Sequence, residues 1–597
     1  MRTKFIYSTL LCSLLALVSS CESNDVSGDV SALESPFASF EYVTSSGRTY
    51  IPDIDDAERT ISIYGVEDSD GITGVNYELK PGVSILPDPA SRVGDWRSTE
   101  LFVVSVDDEK IPYVATLKDY KYATIETDAK LYTQQTYGSE VKYHLYDLKN
   151  DTASNQLDTY ENAETMFQQY GLCGVRIPIW GATDTVTGEE GHPAEGEVNY
   201  NVYGRTYSRV SNALKAFMAG GKNKSDFIVF MSIKSSGSEQ VKLPSWCFTN
   251  GVIARTNLLP DKYAVLIENL TSELKKYVDP DLQIQVIGLD NESSFANASD
   301  KSTTWMHYET VPYIKARFEA NGWNTPRFIS HEAWEPKTFS NGWYQSLLTS
   351  HPETVDIYGV HYYHDKDHPK YFGRLETEWD ASMTDATYAH PDGVVREFWA
   401  SEPHWLSMSA DSGYDDDFFK VSEEAMCCLW AQSDLGMTAF SWWSFGVGTN
   451  LKSDLMRIAS VPITGYTPIK FVDHDDGGFS KDDTTVDDVT RDYDLDSNNL
   501  KTRAFINGNN VTLYLLNVDW YANRATAPSY TDYKIGISDA TLTGYKISYE
   551  QWVGEESGAS NYTTTSGTFS YSSDQYFSID IPARSITCLQ FTITPNE

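Results

Sequence analysis

Basic residues are scarce in this chain. Its 46 Lys and Arg face 85 Asp and Glu, which leaves a formal charge of -39. A field of that sign repels a phosphate backbone, so nucleic acid is excluded as a partner. Cysteine is equally sparse. Beyond the N-terminal segment only Cys173, Cys247, Cys427, Cys428 and Cys588 remain, with no CxxC pair. They read as buried thiols rather than zinc ligands, and no metal or cofactor is expected. No later apolar run reaches the length needed to cross a bilayer. The sequence also lacks a glycine-rich phosphate loop and a nucleophile-elbow serine, which argues against a kinase or an esterase.

The first residues read as an export signal. Arg2 and Lys4 precede a mostly apolar stretch over 5–18, too short to span a membrane. Leu17-Val18-Ser19-Ser20-Cys21 looks like a bacterial lipobox, so Cys21 is expected to carry a lipid anchor. The acidic tether after it suits a lipoprotein displayed away from the membrane, expected on the outer membrane of a Gram-negative bacterium, and the protein is expected to be a monomer.

Aromatic residues are plentiful, with 15 Trp and 39 Tyr. In an exported protein they favour sugar binding, because rings stack on the apolar faces of pyranoses; filling large cores is the plainer use. Residues 22–140 read as tether and β-rich region, with a hairpin from 103–106 to 111–114 and another strand over 122–127. From 141 to 455 strand-like and helix-like runs alternate, which predicts a (β/α)8 TIM barrel. Its strands are expected near 142–147, 172–179, 227–233, 282–289, 327–330, 355–362, 372–378 and 436–443. After about 456 only strands follow, and 456–597 reads as a C-terminal β-sandwich. The acidic segment 473–498 reads as a solvated loop rather than a calcium site.

A barrel carries its chemistry at the C-terminal ends of its strands. The fourth strand leads into Leu289-Asp290-Asn291-Glu292, where Asn291 can bind a sugar hydroxyl and Glu292 can serve as general acid and then base. The predicted seventh strand ends in Glu376-Thr377-Glu378-Trp379, which puts Glu378 forward as nucleophile. Two carboxylates about 5 Å apart support retention of configuration. Arg176 and Trp180 end the second strand, and Arg176 can hold a carboxylate ionised. His361 and Tyr363 end the sixth strand and can reach a hydroxyl or the nucleophile. Trp442 and Trp443 end the eighth and offer a sugar platform, with Trp246, Trp334 and Trp379 as further stacking candidates. Glu332 and Glu335, after the fifth strand, compete with Glu292. Glu376 shares the strand parity of Glu378.

The ordered set VRIPIW (175–180), LDNE (289–292), GVHYY (359–363), TEW (377–379) and SWW (441–443) resembles the clan A retaining glycoside hydrolases, family 30 in particular. The resemblance covers about 270 residues. It implies Glu292 as acid/base, Glu378 as nucleophile and a β-sandwich beside the barrel. Ser293 stands where that family commonly has proline. Lys234-Ser235-Ser236-Gly237 and Pro244-Ser245-Trp246 replace its compact Trp-Ser-Pro-Pro. Family 39-like or agarase- and porphyranase-like relatives fit these departures. The expected activity is endo-hydrolysis of a β-linked polysaccharide. An exo-acting β-glycosidase and a non-catalytic carbohydrate-binding lipoprotein are the alternatives.

Overall fold

The computed structural model describes residues 35–595 apart from a number of loops. The longer of these cover 127–139, 292–302, 364–389, 405–417, 443–456, 474–500 and 518–528. The described residues fall into two compact units that divide after Asp119.

The first unit is all β. Phe37–Thr44 pairs with Thr49–Tyr50 and Ile72–Leu79 in one sheet, and a five-stranded sheet runs from Asp53–Asp55 to Val83–Leu86. The expected hairpin is present as Glu100–Val106 against Glu109–Lys118. Alternation sends Phe102, Val104, Ile111 and Tyr113 into a core shared with Phe40 and Tyr42.

The second unit opens with the barrel. Eight parallel strands close on themselves: β1 (Tyr143–Asp147), β2 (Gly174–Ile179), β3 (Ile228–Ile233), β4 (Val286–Gly288), β5 (Arg327–Ile329), β6 (Ile357–Tyr363), β7 (Glu397–His404) and β8 (Met437–Trp442). Seven of these lie where the sequence pattern predicts them. The seventh does not: the place between β6 and β8 is taken by Glu397–His404, and 372–378 lies outside the described residues.

Side chains alternate between two environments along every strand. Leu145, Ile228, Phe230, Val286, Ile329, Ile357, Trp399 and Ala439 fill the barrel interior. Their neighbours Val175, Ile177, Val229, Met231, Ile287, Phe328, Tyr358, Phe398 and Phe440 belong to the larger core that includes the helices. One such helix, Tyr200–Ala219, starts with the Asn199 side chain accepting from the Asn201 amide and buries Val202, Val210, Leu214 and Phe217. Trp399 closes the interior layer, so truncating it to alanine should cost about 3–5 kcal/mol.

The C-terminal strands form a nine-stranded sheet, antiparallel but for one pair. Leu513 and Leu589 from one part and Ile535 and Phe577 from another share a single core cluster. Ala123–Glu126, which the sequence groups with the N-terminal region, is a strand of this sheet. It pairs with Thr467–Asp473 and with Tyr530–Ile537.

Candidate active site

Arg176 organises the C-terminal end of the barrel. It occupies an inward position of β2 and is fully buried. Its Nη1 donates to Asp147 Oδ2 at 2.7 Å and to Glu402 Oε2 at 2.6 Å. Its Nη2 donates to Glu332 Oε2, to Ser232 Oγ at 3.3 Å and to Asn291 Oδ1 at 3.4 Å. Five strands or their C-terminal extensions thus meet on one guanidinium. Burial pulls the Arg176 pKa down, but Glu332, Asp147 and Glu402 more than offset it and hold it well above its usual value. A planar five-donor cation suits this arrangement and an ammonium would not.

Glu402 stands at the C-terminal end of β7, and a local irregularity aims it. Trp399 pairs with Gly359 and Ala400 with Val360, but the next pair is His361 with Glu402. Ser401 is therefore an extra residue, a β-bulge, and its hydroxyl donates to the Val360 carbonyl at 3.2 Å. Strict alternation from Trp399 would send Ser401 inward and Glu402 outward. The bulge instead sets Glu402 beside Arg176 and His361. His361 Nε2 lies 3.3 Å from Glu402 Oε2 and 3.8 Å from Glu332 Oε2. The Glu402 side chain keeps a 6% exposure, whereas those of Arg176, Asp147 and Glu332 have none.

Glu332 follows β5 with a positive φ of 42°. Its Oε1 accepts from Ser232 Oγ at 2.6 Å, so both of its oxygens are engaged with protein groups. Gly288 makes room for it. A Cβ there would stand 2.1 Å from Glu332 Oε1.

The predicted site residues divide accordingly. Arg176, Asn291 and His361 converge on one point. Trp180 follows β2 with 3% exposure, its amide hydrogen-bonded to the Tyr203 hydroxyl at 2.7 Å. Trp246 is half-buried in the loop after β3, and its indole donates to the His192 carbonyl at 3.1 Å. Trp442 is not a sugar platform. It is 2% exposed, stacks on Phe440 and His144 outside the barrel and donates to His144 Nδ1 at 3.2 Å. Ser441, one position earlier, takes the inward place and donates to Asp147. Tyr363 is part of β6. Glu292, Trp334, Glu378, Trp379 and Trp443 lie outside the described residues. Glu378 is replaced as the seventh-strand carboxylate by Glu402, because the strand beside β6 is 397–404.

Glu402 and Asp147 escaped the sequence reading. Asp147 is the last residue of β1, pairs with Arg176 in the ladder and could have been found by the strand-end rule. The Glu402 signal, Ala400-Ser401-Glu402-Pro403, was masked by the bulge.

No protein-family model matches the chain, and no curated protein matches it. Solved structures do. A glycoside hydrolase family 30 subfamily 8 xylanase from Clostridium acetobutylicum is 15% identical, over 79% of this chain and 99% of its own, with a TM-score of 0.49. A family 30 endoxylanase from Clostridium papyrosolvens matches with 13% identity, the same coverages and a TM-score of 0.49. A family 39 enzyme from Xanthomonas axonopodis covers the same share of this chain and 97% of its own, at 10% identity and a TM-score of 0.44. The chain is thus similar in structure to glycosidases of families 30 and 39, and the likeness is one of architecture.

Proposed function

We propose that the protein is a retaining glycoside hydrolase that cuts a β-linked polysaccharide internally, with Glu402 as nucleophile and Glu292 as acid/base. One observation carries the reading: Glu402 reaches the mouth of the barrel at the end of β7, held by Arg176 and faced by His361. A carboxylate ion-paired to a buried guanidinium stays ionised, as a nucleophile must. Glu402 attacks the anomeric carbon while Glu292 protonates the departing glycosidic oxygen. Glu292 then takes a proton from water, which releases the sugar from the Glu402 ester. Asn291, bonded to Arg176, precedes Glu292 and supports the same site. Glu332 is poorly suited to the acid role, since a proton donor needs reach to the leaving oxygen and both Glu332 oxygens are engaged with Arg176 and Ser232. In this reading Cys21 is lipidated and tethers the enzyme to the outer membrane.

The test is product profiling on β-glucans, xylans, mannans, agar and porphyran with the wild type and with separate Glu402→Gln, Glu292→Gln and Glu378→Gln variants. Oligosaccharides are expected from one polymer class. They should vanish with the first two variants and persist with the third. Near-normal hydrolysis by Glu402→Gln would sink the assignment. The first-formed anomer, read by proton NMR, separates retention from inversion, and a ladder of oligomers separates endo from exo attack.

A further inference from the structure

We infer that Glu332 is a positioning residue for Glu402: it divides Arg176 and His361 with the nucleophile, and so sets both the place and the charge of the Glu402 carboxylate. The inference rests on the reading of Glu402 as nucleophile.

Three observations converge on this role. Glu332 and Glu402 bind different nitrogens of the same guanidinium, Nη2 and Nη1. Both present an Oε2 to His361 Nε2, at 3.8 and 3.3 Å. The fold also builds a place for Glu332: a left-handed backbone at a non-glycine residue, a Ser232 hydroxyl on Oε1 and a glycine at 288 whose Cβ would overlap that oxygen. A left-handed backbone at a non-glycine residue is strained, and the surrounding contacts must hold it in place.

Arg176 from β2, Ser232 from β3 and His361 from β6 meet the pair directly, Asp147 from β1 and Asn291 from beyond β4 share Arg176 with it, and Ser441 from β8 donates to Asp147. Tyr263 lies within electrostatic reach of both Glu332 and Asp290 and donates to the Leu289 carbonyl at 3.1 Å. Arg176 is the cation to which Asp147, Glu332 and Glu402 all bind. Each added carboxylate weakens the share of positive charge that reaches Glu402, and like charges so close oppose one another. Glu332 therefore keeps Glu402 from being tied too firmly to Arg176, which would blunt its attack. It also fixes the guanidinium plane from the far side.

The experiment is a carboxyl carbon-13 NMR titration of protein labelled at glutamate Cδ, comparing wild type with Glu332→Gln. The Glu402 signal is assigned by its disappearance in Glu402→Gln. The midpoint of Glu402 is expected to fall by about one pH unit in Glu332→Gln. An unmoved midpoint in a folded variant overturns the inference. This readout needs no substrate, so it stands apart from the hydrolysis panel: activity surviving in Glu402→Gln defeats the nucleophile reading, while an unmoved midpoint defeats only the role of Glu332. Should Glu332→Gln not fold, Glu332→Asp keeps the charge and withdraws it by one methylene. It is expected to lower kcat at least tenfold on the polymer cleaved fastest in the panel, with KM within threefold. Wild-type kcat in Glu332→Asp would equally overturn the inference.

Discussion

His361 faces Glu402 across the β6–β7 ladder, although the pair before them is Val360 with Ala400. One extra residue, Ser401, thus decides which seventh-strand side chain meets Arg176. Exchanging the two side chains tests this. Ser401→Glu combined with Glu402→Ser leaves the composition unchanged but moves the carboxylate out of the position opposite His361. Hydrolysis by this double variant is expected below about 1% of wild type, in line with losing an oriented nucleophile. Activity near wild type would mean that plain alternation, not the bulge, governs β7.

Arg176 neutralises a site that would otherwise hold three buried acids. Arg176→Met is expected to remove activity and to destabilise the fold by about 3–5 kcal/mol, the usual cost of stranding buried charges. Urea denaturation at pH 7 reads the loss directly. Arg176→Lys should be nearly as damaging, since a single ammonium cannot span Asp147, Glu332 and Glu402 together.

Gly288 needs no special backbone angle; it is small because Glu332 is next to it. Gly288→Ala sets a methyl 2.1 Å from Glu332 Oε1, so the carboxylate has to move. A cost of about 1–3 kcal/mol is expected, with kcat falling more steeply than KM rises. An unchanged melting temperature and unchanged kcat would show that the Glu332 pocket is looser than the geometry implies.

His144 makes stability depend on mild acid. Burial pushes its pKa down to about 3, and its Nδ1 accepts from the Trp442 indole, so the folded ring is neutral with its proton on Nε2. The unfolded ring binds a proton below about pH 6.5, so between those values the unfolded state carries more protons. Stability therefore falls as the pH drops from 7 to 5, by about 2 kcal/mol from His144. Buried His192 and His307, at about 3 and about 4, act with the same sign. His144→Asn keeps an acceptor for Trp442 and removes the titration, so its urea midpoint should change less between pH 7 and 5 than that of wild type.

The barrel was legible because its strands are apolar runs separated by amphipathic helices; IVFMSI over 228–233 and GVRIPI over 174–179 are buried at every position. The seventh strand was not. Glu397 lies at its start, ion-paired to Lys142 and Arg327, while Pro403 lies near its end, so Glu397–His404 does not read as a core strand. Leu375-Glu376-Thr377-Glu378-Trp379 has the more strand-like pattern. Arg176, Asn291 and His361 stand out in the sequence as polar residues within or just after apolar barrel strands, and the structure brings them together. Trp442 misled because adjacent tryptophans suggest a platform, whereas alternation with Ala439 and Ser441 turns it outward. Glu332 was visible as a rival but not as a partner, since its role depends on a left-handed backbone angle.

The capture of Ala123–Glu126 by the C-terminal sheet has a consequence for synthesis. This strand leaves the ribosome before any part of the barrel, yet its two neighbours, Thr467–Asp473 and Tyr530–Ile537, come some 340 and 400 residues later. Throughout that interval its backbone hydrogen-bonding edges lack their native cover, and an uncovered edge is a template for pairing with another chain. A nascent chain halted before residue 530 leaves one side of that strand unpaired even when the barrel is complete. Truncation at the C-terminus is thus felt near the front of the chain, as aggregation through a strand whose ladder partners both come after the barrel.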